Sequence, residues 1–555
     1  RDKEATAALL KSKLSRPDQS PGLERLNGLL DRVLCVGGPA GEALEWCKCL
    51  LAGGDKFEDF CQAVRSYDNA TLCGLVWTAN FVAYRCRTCG ISPCMSLCAE
   101  CFHQGEHAGH DFNMFRSQAG GACDCGDSNV MRESGFCKRH RVKLSSCVPS
   151  VPQDLLVMSE LVIPRFIFYL IQYLRDGYSE PGMFVACLIT KDNGLIICRL
   201  KVPYMFLAFD DKECGSGTDW KYTFNNKLKM YDDTINCTLS LYLSHQSIMD
   251  MLKHKCFLEE LLFWTIKYEF PQKMVTFLLN MLPDQDYKIA FTKTFVQHYA
   301  FIMKTLKKSH ESDTMSNRIV HISVQLFSNE ELARQVTEEC QLLDIMVTVL
   351  LYMMESCLIK SELQDEENSL HVVVNCGEAL LKNNTYWPLV SDFINILSHQ
   401  SVAKKFLEDH GLLVTWMNFV SFFQGMNLNK RELTEHVEFE SQTYYAAFAA
   451  ELEACAQPMW GLLSHCKVPD TQEYTRNVVR YCLEALQDWF DAINFVDEKI
   501  KKPAPNQVTF HLPLHRYYAM FLSKAIKCQE IDLDSILPDQ EMLMKLMVHP
   551  LLIQV

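Results

Sequence analysis

The chain has 555 residues, 48% hydrophobic and 22% charged. At roughly 150 residues per domain this supplies three or four packed domains, and it excludes a disordered or fibrous protein. Lys and Arg number 54 against 68 Asp and Glu, and the net charge of -14 argues against broad electrostatic binding to nucleic acid or an anionic membrane. The longest apolar runs, such as residues 345–354, are too short to span a bilayer, and no signal pattern opens the chain.

Residues 1–70 read as short helices around a Gly- and Ala-rich joint at 37–41, with helices predicted over 42–51 and 57–67. Cys47 and Cys49, one residue apart, have poor spacing for a metal and read as core. Over 71–142 long apolar periodicity gives way to Cys, His and Gly, the composition of a small domain held by metal in place of a core. Residues 143–180 return to helix, with a break or kink predicted at Pro164. Residues 181–244 carry a mixed, strand-containing pattern and read as an insertion.

From 245 to 555 the text is helical. A capping box is predicted at Ser328-Asn329-Glu330-Glu331, with Ser328 capping and Glu331 reaching back. One continuous apolar stripe follows through Leu332, Val336, Cys340, Leu343, Val347, Leu350 and Met354. Further helices are predicted over 247–267, 271–281, 289–308, 371–382, 388–398, 401–420, 442–464 and 471–495. Helices of this length with short joints suggest stacked hairpins, although no fixed sequence period is found. The expected fold class is mainly α: a small multi-zinc finger domain attached to a solenoid-like helical scaffold. A start at Arg1 and a stop at Val555 suggest the N-terminal portion of a longer protein.

Nine of the 26 cysteines lie between Cys73 and Cys137, and the rest are scattered through helical text. Scattered cysteines on apolar faces read as core residues of a reducing compartment, so a cytoplasmic, and also nuclear, location is expected. The clustered ones are spaced as ligands: Cys86-x-x-Cys89, Cys98-x-x-Cys101, His107-x-x-His110, Cys123-x-Cys125 and Cys137-x-x-His140, with Cys73 upstream. Two C-x-x-C pairs with an H-x-x-H and a C-x-x-H in so short a span point to structural zinc. Without Cys94 and His103 there are eight cysteines and three histidines, eleven donors. Three tetrahedral zincs have twelve positions, which eleven donors fill if one thiolate bridges; counting does not say which.

Residues 73–140 resemble the UBR box, the zinc domain of the UBR family of ubiquitin-protein ligases, and match its order of ligands without a gap. The text of residues 77–87, 117–126 and the helices from about 245 extends the resemblance toward the branch of its third member. It implies one zinc on Cys86, Cys89, His107 and His110, a second on Cys73, Cys98, Cys101 and Cys125, and a third on Cys101, Cys123, Cys137 and His140, with Cys101 bridging. It also implies that Asp124 and Asp127 hold a peptide's free α-amino group and a basic first side chain, and that Ala122 contributes backbone contact. Peptide-binding members carry a third Asp at the position of Ser92, so this pocket has lost one wall charge.

Every donor is committed, whereas a catalytic zinc keeps a position for water, so a zinc hydrolase is disfavoured. Gly120, Gly121 and Gly126 around Asp124 and Asp127 read as positions where a ligand backbone comes close. The bland alternative is that both carboxylates only cap turns. After His140 no further pair of C-x-x-C motifs occurs, and no residue looks catalytic. Two functions compete: the substrate-recognition and scaffold part of a ligase in the N-degron pathway, or a non-enzymatic zinc adaptor that binds peptides or proteins. The first implies substrates with N-terminal or internal degrons, and a ubiquitin-conjugating enzyme that docks outside this chain.

Overall fold

A computed structural model describes residues 2–16, 20–35, 38–64, 71–77, 81–92, 95–117, 121–141, 151–175, 257–360, 372–375, 377–423 and parts of 453–484. The segment 181–244 read as an insertion lies outside these residues. The chain divides into two compact units, Arg1–Phe295 and Val296–Val555.

The first unit begins with helices α1 (Lys3–Leu14), α2 (Ser20–Val33), α3 (Ala40–Ala52) and α4 (Phe57–Val64). Helix α1 starts where the Asp2 carboxylate accepts from the Glu4 N–H, and it buries Ala7, Leu10 and Leu14. Helix α3 ends on Gly53, whose positive φ closes the C-cap. After the zinc box, α5 of which is described below, α6 (Gln153–Arg175) packs back onto α1, α2 and α3. Segments 1–70 and 143–180, read separately in the sequence, therefore build one helical layer. A buried polar clamp fixes it: Arg165, 2% exposed, donates to Asn27 at 3.0 Å and forms an ion pair with Asp31, and Tyr169 donates to the Gly38 carbonyl at 2.9 Å. The break predicted at Pro164 does not occur, and α6 is one helix of 23 residues. Proline removes a single helical N–H bond, and packing on three helices outweighs that local cost. Cys47 is buried as expected, and Cys49 is half-buried.

Helices α7 (Phe257–Lys267), α8 (Gln272–Asn280) and α9 (Gln285–Gln297) follow. Glu269 and Phe270 turn the chain between α7 and α8 with φ of 55° each, and Phe270 is fully buried.

Among the described residues the second unit is mainly helical, and its longer helices repeat in sets of three. Helices α10 (Tyr299–Lys308), α11 (Ser312–Phe327) and α12 (Glu330–Cys340) form one set. After α13 (Leu342–Met354) come the hairpin of β4 (Leu358–Lys360) and β5 (Val372–Val374), the short α14 (Ala379–Lys382), then α15 (Trp387–Leu397) and α16 (Gln400–Glu408). Helices α17 (His410–Ser421) and α18 (Gln457–His465) begin the next layer. Contacts run α10–α13–α17, α11–α15–α18 and α12–α16, three parallel rows that define a solenoid of three-helix repeats. Leu389, Phe393, Phe406 and Trp416 are fully buried between rows. Each such side chain contributes about 1.5–3 kcal/mol of transfer energy, or more for the tryptophan. A buried polar contact crosses between two rows: Tyr299 donates to Asp392 Oδ2 at 2.7 Å, and both side chains are fully buried. Burial pushes the Asp392 carboxyl up to about 7, against the hydrogen bonds of Ser323 and Tyr299 that hold it down.

Three sequence expectations change here. The N-cap of α12 is Asn329, whose Oδ1 accepts from the Leu332 N–H at 2.9 Å; Ser328 ends α11, and Glu331 pairs with Arg334. The stripe from Leu332 to Met354 is two helices bent by 77°, because Gln341 adopts φ 53° between α12 and α13. The helices predicted over 289–308 and 401–420 each divide in two, at His298 and Asp409, and 371–382 is strand β5 followed by the short α14. Apolar periodicity reports a buried face, and it continues unchanged when the chain turns a corner between two buried helices. No single described helix is long and apolar enough to cross a membrane.

Candidate metal centre and the adjoining notch

The zinc box is built on a three-stranded antiparallel sheet, order β2-β1-β3, from β1 (Phe81–Cys86), β2 (Leu97–Cys98) and β3 (Phe112–Ser117). The one-turn helix α5 (Ala99–Gln104) leaves β2, and Cys98 is its N-cap. The elements and the turns that follow them carry the donors. Strand β1 stops at Cys86 and turns through Cys89, α5 carries Cys101, and the turn after α5 presents His107 and His110. Residues 73–77 lie antiparallel to 121–125 through bonds from the Cys73 N–H to the Cys125 carbonyl and from the Trp77 N–H to the Gly121 carbonyl. That pairing brings Cys73, Cys123 and Cys125 onto the same side as α5.

The eleven predicted donors form three groups whose ligand atoms lie within 4.8 Å of one another: Cys86, Cys89, His107 and His110; Cys73, Cys98, Cys101 and Cys123; and Cys101, Cys125, Cys137 and His140. Cys101 is shared, as the resemblance implied. Cys123 and Cys125 are exchanged relative to that implication. The backbone decides it: the Cys98 N–H points to Cys123 Sγ at 3.2 Å and the Cys137 N–H to Cys125 Sγ at 3.3 Å. Ligand order along the chain does not reveal which of the two sulfurs joins which group.

The groups fit zinc. Zn–S near 2.3 Å and Zn–N near 2.0–2.1 Å at a tetrahedral angle set sulfur and nitrogen roughly 3.5 Å apart. His110 Nδ1 lies 3.6 Å from Cys86 Sγ and 3.3 Å from Cys89 Sγ, and His107 Nδ1 lies 3.7 Å from Cys89 Sγ. His140 Nδ1 lies 3.5 Å from Cys101 Sγ and 3.1 Å from Cys137 Sγ. Ten of the eleven donor residues are buried, and His110 is half-buried. Interactions with Cys101, Cys123 and Cys73 hold the Cys98 thiol far below its ordinary range, while Cys101 is pushed far above its own by Cys123, Cys125, Cys137 and Cys73, so the protons are shared unequally among the linked thiols. The donor set suits structural zinc that would cross-link the fold.

Beside the second group, the residues read as a peptide site occupy neighbouring loops. The Asp124 N–H donates to the Ser96 carbonyl at 2.9 Å, and the Ser96 N–H returns a bond to Asp124 Oδ2 at 2.7 Å. Burial pushes the Asp124 carboxyl up to about 6; the Ser96 N–H opposes this and the Asp127 charge adds to it. Asp127 Oδ1 accepts from the Asn129 N–H at 2.9 Å, which is a turn cap. Ser92 is tied to the same turn, since its N–H donates to the Val130 carbonyl at 3.1 Å and the Val130 N–H donates to the Asp127 carbonyl at 3.3 Å. Ala122 is half-exposed and bridges to Val76.

The glycine expectation is corrected. A Cβ on Gly121 would meet Trp77 Nε1 at 2.2 Å, and one on Gly126, at φ 101°, would meet the Thr71 carbonyl oxygen at 2.0 Å. Their bare faces are filled by the protein itself. Gly120 lies outside the described residues. The clamping role of Ser96 was missed, because a backbone contact across 28 residues leaves no mark in the sequence.

Residues 72–140 match the family described as a zinc finger in N-recognin (UBR box). Residues 249–555, more than half of the chain, match the UBR1/2/3-like ARM repeat domain. The chain belongs to the UBR1/2/3-like family. It is 68% identical to the mouse protein named E3 ubiquitin-protein ligase UBR3, across 100% of this chain and 34% of that protein. It is 42% identical to Drosophila Ubr3, over 100% of this chain and 26% of the relative, and 22% identical to human UBR1, over 74% and 27%. The chain thus spans about a third of the length of the first of these curated relatives. The ARM match agrees with the three-helix rows of the second unit, and the UBR box is the zinc-binding sheet of the first.

Proposed function

We propose that this chain is the substrate-recognition and scaffold portion of a RING-type ubiquitin-protein ligase acting in ubiquitin-dependent protein degradation of the N-degron kind. One observation carries the reading: the whole chain, box and ARM domain together, aligns with proteins named E3 ubiquitin-protein ligases. The ubiquitin-conjugating enzyme docks outside residues 1–555, because paired Cys/His motifs of RING spacing are lacking after His140. The box holds three zinc ions, one per donor group, with Cys101 shared between two. Zinc supplies cross-linking here and no reaction chemistry. Asp124 and Asp127 hold the α-ammonium of a protein N-terminus, with Ala122 and Ser92 beside it. Substrates are proteins that expose such a degron, N-terminal or internal. The protein works in the cytoplasm and also the nucleus, in keeping with the free thiols among the described cysteines.

Two measurements test this. Metal analysis of the purified chain should return three zincs, and Cys101→Ser should lose more than one where Cys86→Ser loses one; a single zinc in the folded protein refutes the count. With activating and conjugating enzymes, residues 1–555 should stimulate no ubiquitin transfer while a full-length protein does. Transfer by neither would leave the chain a non-enzymatic adaptor.

A further inference from the structure

We infer that histidines at the layer boundaries of the second unit are clasps that lock each three-helix layer onto the one before, so that the described solenoid opens as one unit rather than layer by layer. The layers are α10–α12, then α13 with α15 and α16, then α17 with α18. His399 follows α15 and places Nε2 2.7 Å from the carbonyl of Phe327, the last residue of α11 in the layer before. His465 ends α18 and places Nε2 3.2 Å from the carbonyl of Leu397, the last residue of α15. A carbonyl only accepts, so Nε2 carries the hydrogen in both rings. The last four carbonyls of a helix have no partner inside it, and at both boundaries a histidine of the next layer supplies the donor.

The sequence marks the position. Phe327-Ser328-Asn329, Leu397-Ser398-His399 and Leu463-Ser464-His465 repeat one apolar–Ser–polar step. Asn329 caps its own helix, with Oδ1 accepting from the Leu332 N–H at 2.9 Å. His399 stands at the same N-cap position of α16 and makes no side-chain cap to its own helix; its ring reaches across the layer boundary instead. Two residues on, Ser401 Oγ donates to Glu330 Oε1 at 3.2 Å, at the first residue of α12, so the start of α16 is tied to the previous layer twice at one corner. The row of α10 and α13 has a tie of its own: Lys307 donates to the Tyr352 carbonyl, in the last turn of α13, at 2.9 Å. Where layers meet through apolar faces alone, stability is a sum of layer and interface terms, and an end layer can open first. A directional bond at each boundary fixes the rotation of one layer on the next and strengthens the interface term.

The test is hydrogen exchange by mass spectrometry on the zinc-loaded chain across a urea series, read separately for peptides of α10–α12 and of α15–α16. In the unaltered chain both sets should lose protection at one urea midpoint. His399→Leu should separate the midpoints, with α15 and α16 losing about tenfold in protection while α10–α12 keep theirs. His399→Gln, whose amide N–H stands in for the ring donor, should restore a single midpoint. Asn329→Ala, which removes a cap inside one layer, should lower both midpoints together. If His399→Leu does not fold, His465→Leu repeats the test at the other boundary and should separate α18 from α15–α16. Separate midpoints in the unaltered chain, a joint shift in the histidine-to-leucine variants, or a His399→Gln variant that separates as far as His399→Leu overturns the inference. The ligase reading stands apart from each of these outcomes.

Discussion

The zinc box and the ARM-type solenoid are stabilised by opposite means. Over residues 71–141 the buried cluster is half cysteine, with only Leu75, Trp77, Ala83, Met95, Leu97, Phe102, Met131 and Phe136 as its fully buried carbon side chains. The described part of the solenoid buries row upon row of Leu, Ile, Val, Phe and Met, with polar contacts such as Tyr299 to Asp392 set among them. A small sheet cannot remove enough apolar area from water to offset its chain entropy, so coordination replaces the missing core. The comparison teaches where rigidity comes from: in the box it is local and chemical, and in the solenoid it is distributed over interchangeable carbon contacts.

The sharpest way to break the comparison is to remove metal. Structural zinc contributes on the order of 10 kcal/mol or more to such a domain, so chelation should unfold residues 71–141 and leave the second unit helical. Hydrogen exchange by mass spectrometry would show protection lost in the box peptides and kept across 299–423; loss in both, or in neither, contradicts the division. The converse perturbation is Phe393→Ala. It empties a fully buried site between rows and should cost about 3–5 kcal/mol in the second unit, with zinc content unchanged by metal analysis.

Protonation separates the units further. Asp392 has a folded-state value near 7, above its ordinary carboxylate value, so the folded state binds the proton more tightly than the unfolded chain. Its contribution is fully present below the unfolded value and is lost as pH rises toward 7. The second unit should therefore weaken between about pH 4 and pH 7 by up to about 1.4 kcal/mol per pH unit from this group, and Asp392→Asn should flatten that slope in denaturant titrations. The smallest expected effect is at the cap of α12. Asn329→Ala should destabilise by about 1 kcal/mol, more than Ser328→Ala, and the reverse order in thermal melts would restore the capping box read from the sequence.

The sequence by itself determined the metal chemistry and the helical class. Ligand types and C-x-x-C, H-x-x-H and C-x-x-H spacings specify zinc whatever the surrounding fold, because coordination needs only a few atoms at short range. All eleven donors from Cys73 to His140 were readable in that way, and so was the apolar face from Leu332 to Met354. Tertiary structure alone decided what depends on contacts between distant segments. It placed Cys123 with Cys98 and Cys125 with Cys137, since the Cys98 N–H faces one sulfur and the Cys137 N–H the other. It filled the bare faces of Gly121 and Gly126 with Trp77 and Thr71, turned the chain at Gln341, carried α6 unbroken through Pro164 against α1–α3, and anchored Asp124 to the backbone of Ser96. In each case a contact across many residues competed with a local preference worth a kcal/mol or so, and a linear reading has no access to that contact.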